Sequence, residues 1–240
     1  MEVSKEVSWD WIGNHLRVKV LFSSAGLATQ ILVNDIEKDS NLLIDVGDGI
    51  LRDLVSLPSK YYENIDTILI THGHFDHVGG IFSLLAFFRM INRSKGLLLI
   101  APPDVVELKG LVKTFHDSYE ESIPYQLEII NIEREFELEN MLISAFAVQH
   151  RGSIIGGEKL PNIPSVGYII TKNAEKILYT GDTGYFDQLK EHVRGVDYAL
   201  IEGTHKNKRT PFHLTYSEAE EIGKLAKNYQ IVHKIMSRGT

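Results

Sequence analysis

The chain has 240 residues, ten histidines, no cysteine and a formal charge of −7. A chain of this length buries a sizeable core, and 43% hydrophobic with 24% charged residues is the composition of an ordinary folded protein and argues against a disordered chain. The absence of cysteine excludes a disulfide scaffold, a cysteine nucleophile, an iron–sulfur cluster and any thiolate site, so a metal here needs nitrogen and oxygen ligands.

Strands and helices alternate from end to end. Met1 to Asp10 lacks the basic start and apolar run of a signal peptide. Leu16 to Phe22 alternates apolar with basic residues, as a half-buried strand should, and Leu27 to Val33 and Leu42 to Val46 continue as strands. After the turn Gly47-Asp48-Gly49, the residues Ile50, Leu51, Leu54 and Val55 fall at helical spacing up to Pro58. Ile65 to Thr71 is a buried strand running into a histidine-rich turn, followed by a helix of about 14 residues rich in Leu and Phe. The most apolar stretch, Ile81 to Ile91, is too short to span a bilayer and contains Arg89. With no cysteine to mark an oxidising compartment, we expect a cytoplasmic protein with no membrane partner.

The pattern then repeats in outline. Leu97 to Ala101 is a strand, Pro102-Pro103-Asp104 starts a helix, and Leu127 to Ile132 and Met141 to Val148 are strands. Val166 to Thr171 and Lys176 to Thr180 flank the turn Lys172-Asn173-Ala174. A short helix follows Gly184, and then the strand Tyr198 to Ile201. Thr215-Tyr216-Ser217-Glu218 opens a helix running to Asn228, ahead of a last strand, Gln230 to Ile235. No linker and no repeat at the roughly 20–50-residue periods of solenoids interrupts the order, so residues 1–240 read as a single mixed α/β domain.

The chemistry concentrates in Thr71-His72-Gly73-His74-Phe75-Asp76-His77-Val78-Gly79-Gly80, where three histidines and an aspartate fall within six residues. His72 and His74 alternate along an extended turn and project to one side, while the adjacent Asp76 and His77 turn toward a second point. That pattern suits two metals sharing one loop, about 3.5–4 Å apart. Further ligands are expected at other strand ends. His150 follows the strand from Met141, Asp182 follows Ile177-Leu178-Tyr179, and His233 lies in the terminal strand.

The run from His72 to His77, followed by a later His150, Gly181-Asp182-Thr183 and a final His233, resembles the metallo-β-lactamase superfamily. Leu43 to Gly49 and the lead-in Ile70-Thr71-His72 resemble its ribonuclease Z-like and phosphodiesterase-like branch. The resemblance covers nearly the whole chain. It implies a four-layer αββα sandwich with two divalent metal ions, usually zinc, with manganese and iron also found among relatives. His72, His74 and His150 would hold one metal, Asp76, His77 and His233 the other, with Asp182 bridging. His213-Leu214-Thr215 is similar to the His-x-Thr segment of ribonuclease Z, whose histidine assists at the leaving group.

By this resemblance, a hydroxide bridging the metals attacks phosphorus or a carbonyl carbon, Asp76 orients the nucleophile or takes its proton, and His213 acts as general acid. Arg151, Lys159, Lys206, Lys208 and Arg209 stand near three of these motifs and suit an anionic small molecule or an RNA. A solvated loop accounts for them equally. Ile154 to Pro164 is expected as a mobile wall, and Phe115, Tyr119 and Tyr125 as pocket lining or core.

A phosphodiesterase is the first reading. Ser23 to Thr29 lacks the proline-lysine-arginine-asparagine loop of the transfer-RNA 3′-end endonucleases, and the long glycine- and proline-rich arm is also missing. The segment after His233, Lys-Ile-Met-Ser-Arg, differs from their usual His-Phe-Ser-Pro-Arg. A thioester or lactone hydrolase of the same superfamily and a non-catalytic metal-binding protein remain alternatives. A homodimer is common among similar proteins.

Overall fold

Two mixed β-sheets carry the strand–helix alternation seen in the sequence. The computed structural model describes residues 7–138, 140–151, 154–155, 158–159 and 163–236. The chain divides into two compact units interleaved along the sequence. The first holds the chain to Phe22, Leu27–Ala101 and Val105–Asn131; the second holds Ser23–Gly26, Pro102–Asp104 and the chain from Ile132.

The sheet of the first unit takes its strands in chain order: β1 (Trp11–Ile12), β2 (Leu16–Ser24), β3 (Ala28–Asp35), β4 (Ser40–Val46), β5 (Ile65–Leu69), β6 (Leu97–Ala101) and β7 (Leu127–Asn131). The pairs β1–β2 and β3–β4 are antiparallel, whereas β4 through β7 run parallel. Parallel strands covered on both faces are apolar throughout, which explains the unbroken run Leu97–Ala101 in β6. The helices are α1 (Ile50–Val55), α2 (Lys60–Glu63), α3 (Phe75–Val78), α4 (Ile81–Met90) and α5 (Val106–Tyr119). Leu54, Leu84, Phe88, Leu108 and Phe115 from these helices bury against Leu43, Ile68 and Leu99 of the sheet. Gly79-Gly80 divides the expected 14-residue helix into α3 and α4. A side chain at Gly47 would overlap the carbonyl of Asp76, so glycine there lets the end of β4 pack onto α3.

In the second unit the strands are β8 (Glu135–Leu138), β9 (Met141–Ala147), β10 (Ile154–Ile155), β11 (Glu158–Lys159), β12 (Val166–Lys172), β13 (Glu175–Tyr179), β14 (Tyr198–Glu202) and β15 (Tyr229–Val232). Six of them form a sheet in the order β15-β14-β13-β12-β9-β8, and β10 pairs with β11 apart from it. Neighbours from β8 to β13 are antiparallel; β13, β14 and β15 are parallel. Leu189 and Val193 of α6 (Asp187–Val193) and Ala219 and Ile222 of α7 (Tyr216–Gly223) join Leu178, Ala199 and Ile201 in a separate core.

Helix α7 opens on the expected capping box: Thr215 Oγ1 accepts from Glu218 N, and Thr215 N donates to Glu218 Oε2. It ends at Gly223 rather than Asn228, because the Tyr229 ring packs over Gly223 and Lys227 N turns aside to Val196 O at 2.9 Å. The last strand ends at Val232, where His233 adopts a left-handed φ of 55° and leaves the ladder. The sequence reading also passed over β1, β8 and α2, each four residues or fewer. Among the described residues no helix is long and apolar enough to cross a membrane.

Candidate metal centre

In the first unit the histidine-rich turn leaves the C-terminal end of β5, beside the end of β4. Parallel strands gather chemistry at these ends. Thr71, His72, Asp76 and His77 are buried, and His74, the N-cap residue of α3, is partly exposed. Asp45 at the end of β4 is fully buried and adopts a left-handed φ of 59°. Its carboxylate accepts from Thr71 N at 2.8 Å and from Thr71 Oγ1 at 2.8 Å, and it meets His77 Nδ1 at 2.7 Å. Burial pushes the Asp45 carboxyl up, and His77 and Thr71 act against that rise.

Because the Thr71 hydroxyl donates to Asp45, its lone pair faces His72 Nδ1 at 3.0 Å. His72 and His77 therefore both carry their proton on Nδ1, which leaves Nε2 as the ligand atom. His72 Nε2 lies 3.1 Å from His74 Nδ1, and His77 Nε2 lies 3.8 Å from Asp76 Oδ2. His72 with His74 and Asp76 with His77 thus form two close donor pairs within the turn.

The second unit repeats this arrangement with different residues. His150 follows β9, Asp182 follows β13 through Gly181, and His233 lies one residue beyond β15. All three are buried. Glu202 at the end of β14 is fully buried. Its Oε1 accepts from Thr183 N at 3.0 Å and meets His213 Nδ1 at 3.0 Å, while its Oε2 accepts from Thr204 Oγ1 at 2.8 Å. The lone pair of Thr204 Oγ1 then faces His233 Nδ1 at 3.0 Å. In each unit one buried carboxylate holds one imidazole directly and a second through a threonine.

His150 donates from Nδ1 to the carbonyl of Phe212 at 3.1 Å, and its Nε2 lies 3.8 Å from Asp182 Oδ2. Asp182 Oδ1 lies 3.2 Å from His233 Nδ1. Asp182, His213 and His233 each offer a ligand atom within 4.8 Å of the others. This donor chemistry fits divalent metals: neutral imidazoles with Nδ1 tied to oxygen acceptors, beside carboxylates, in buried sites.

The structure thus brings His72, His74, Asp76 and His77 together in one unit, and His150, Asp182, His213 and His233 in the other. Sequence reasoning missed Glu202 and Thr204 altogether and gave Asp45 no role. Among the expected lining residues, Phe115 and Tyr125 are core, and Tyr119 borders a cavity of about 370 Å³ with Leu51, Phe87 and Met90. Lys159 and most of Ile154 to Pro164 lie outside the residues whose side chains are described.

Residues 40–235 match the family model described as the beta-lactamase superfamily domain. The ribonuclease Z of Bradyrhizobium sp. (strain ORS 278) is 27% identical over 237 residues, covering 80% of this chain and 78% of that relative. Among solved structures, the metallo-beta-lactamase fold protein YhfI from Bacillus subtilis superposes with a TM-score of 0.73 at 18% identity, covering 95% of this chain and 89% of that one. The short form of human tRNase Z gives a TM-score of 0.72 at 18% identity, covering 91% and 93%. These likenesses establish the fold expected from the sequence.

Proposed function

The chain belongs to the beta-lactamase superfamily domain family, and from that membership we propose a two-metal phosphodiesterase of the ribonuclease Z-like branch, acting on RNA. The observation that carries the proposal is the set of buried histidines whose Nδ1 atoms are tied to oxygens, leaving Nε2 for metal. We assign His72, His74 and His150 to one ion and Asp76, His77 and His233 to the other, with Asp182 serving both. In this reading the two units act as one hydrolase domain over residues 1–240.

Nitrogen and oxygen donors without thiolate suit zinc. Bound divalent ions would supply Lewis acidity and a water ionisable near neutral pH. The rest falls to the protein. Asp76 orients the attacking water and accepts its proton. Glu202 stabilises the imidazolium form of His213, which gives its Nε2 proton to the departing oxygen. Thr71 and Thr204 fix the rings of His72 and His233.

Metal analysis followed by parallel assays on an activated phosphodiester, a thioester and a precursor transfer RNA tests the assignment. We expect turnover of the diester and the RNA, and loss of both in Asp76→Ala together with metal. Turnover confined to the thioester would favour the acyl-hydrolase alternative, and bound metal without any turnover the non-catalytic one. The proposal includes a cytoplasmic location and a homodimer. A light-scattering mass equal to one 27.1 kDa chain would remove the dimer.

A further inference from the structure

The segment between β14 and α7 forms a closed loop in the second unit. His205 and Thr215 pair as an isolated bridge, with His205 N donating to Leu214 O at 3.3 Å and Tyr216 N to His205 O at 2.9 Å. The tip carries Lys206, Lys208 and Arg209, all exposed, with no acidic residue, in a chain of net charge −7. Its returning arm carries His213. Thr210 ties the two together, since His213 N donates to Thr210 Oγ1 at 3.1 Å and that hydroxyl donates back to His213 O at 3.3 Å.

The tip is anchored from two further sides. A side chain at Gly184 would overlap the carbonyl of Pro211, so the turn carrying Asp182 packs directly on the loop. Arg209 Nε pairs with Glu218 Oε1 at 2.8 Å, and its guanidinium lies 6.0 Å from the Tyr185 ring. Among the described residues Lys206 and Lys208 take part in no ion pair. Two cations that form no ion pair among the described residues are thus held on an anchored loop whose other arm carries His213.

We propose that this loop is a phosphate clamp, in which Lys206 and Lys208 grip phosphates flanking the scissile bond of single-stranded RNA. The proposal rests on the phosphodiesterase reading of the site. A small diester carries one charge, which bound metals would themselves neutralise, so cations beyond the centre suit a substrate with further phosphates.

The test uses the zinc-loaded 240-residue chain and a fluorescent, hydrolysis-resistant phosphorothioate RNA of about twelve nucleotides, with binding followed by anisotropy against salt. Lys206→Ala/Lys208→Ala should weaken binding about 25-fold at about 0.1 M salt and flatten the slope of log K against log salt by about 1.4, from about 0.7 per phosphate contact on single strands. Lys206→Arg/Lys208→Arg should retain wild-type binding. Lys95→Ala/Lys113→Ala, which removes two exposed charges from the other unit, should also retain it.

An unchanged slope, an equal loss in the Lys95/Lys113 control, no binding by wild type, or equal competition by polyglutamate would each overturn the clamp. Failure of the underlying reading is separate. Lysine-dependent RNA binding without cleavage of any diester would sink the phosphodiesterase and leave the clamp. Cleavage of RNA with binding unaltered in Lys206→Ala/Lys208→Ala would do the reverse.

Discussion

Nδ1 of His213 lies 3.0 Å from Oε1 of Glu202, a carboxylate with no exposed surface. The same carboxylate accepts from the backbone amides of Thr183, Thr204 and Leu214 and from the Thr204 hydroxyl. In the proposed mechanism this carboxylate at Nδ1 supports His213 as the group that gives its Nε2 proton to the leaving oxygen.

His213→Ala should therefore lower RNA turnover by roughly 10²–10⁴-fold while metal content stays at the wild-type level. Bis(p-nitrophenyl) phosphate, whose leaving group departs without a proton, should lose much less. Parallel kinetics and metal analysis check this. Loss of metal in the variant would instead make His213 a ligand alongside Asp182 and His233.

Asp45 meets His77 directly and His72 by way of Thr71, so under the proposed assignment it would tune both ligands of the metals. Asp45→Asn removes the anion while tolerating the left-handed backbone at this position. Metal affinity should fall by about 10–100-fold, read by chelator competition. Unchanged affinity would mean that His77 is oriented without Asp45.

How much of this centre the sequence carried follows from how local each signal is. The run from His72 to His77 is legible because its donors lie within six residues. His150, Asp182 and His233 are legible as polar residues closing apolar strands. Glu202 also closes an apolar strand, but its donors come from residues 183, 204, 213 and 214, which only the folded sheet brings together. Asp45 meets Thr71 and His77 across 26 and 32 positions. The strand pattern gave the fold class, whereas the end of α7 depended on a tertiary contact from Tyr229 to Gly223.

Arg93 is buried where α4 gives way to β6, and its guanidinium donates to the carbonyls of Glu63, Ile65, Lys95 and Gly96. Burial lowers its pKa, opposed by Asp66 and Tyr125. Arg93→Met would leave buried carbonyls without donors, at a cost of about 3 kcal/mol of stability in urea unfolding. A change below about 0.5 kcal/mol would show that water replaces the guanidinium.

His192 stacks on Phe146, with ring centroids 4.2 Å apart and planes 19° from parallel. Burial pushes its pKa below the usual histidine value. With the folded pKa below the unfolded value of about 6.5, the unfolded chain binds the proton first. This residue's contribution is full above that pH and is lost as pH falls toward the folded pKa. The Tm difference between His192→Phe and wild type should therefore shift in favour of the variant between pH 7.5 and about 5. A difference that stays constant across that range would exclude His192 as a source of acid sensitivity.

Two metal ions on this chain's histidines and aspartates are proposed to hydrolyse a phosphodiester. The most direct test is turnover of an activated phosphodiester by metal-stripped protein titrated with zinc. Activity should rise from zero and break to a plateau at two equivalents per chain. Full activity in the stripped protein, or none at any zinc ratio, would contradict the proposal.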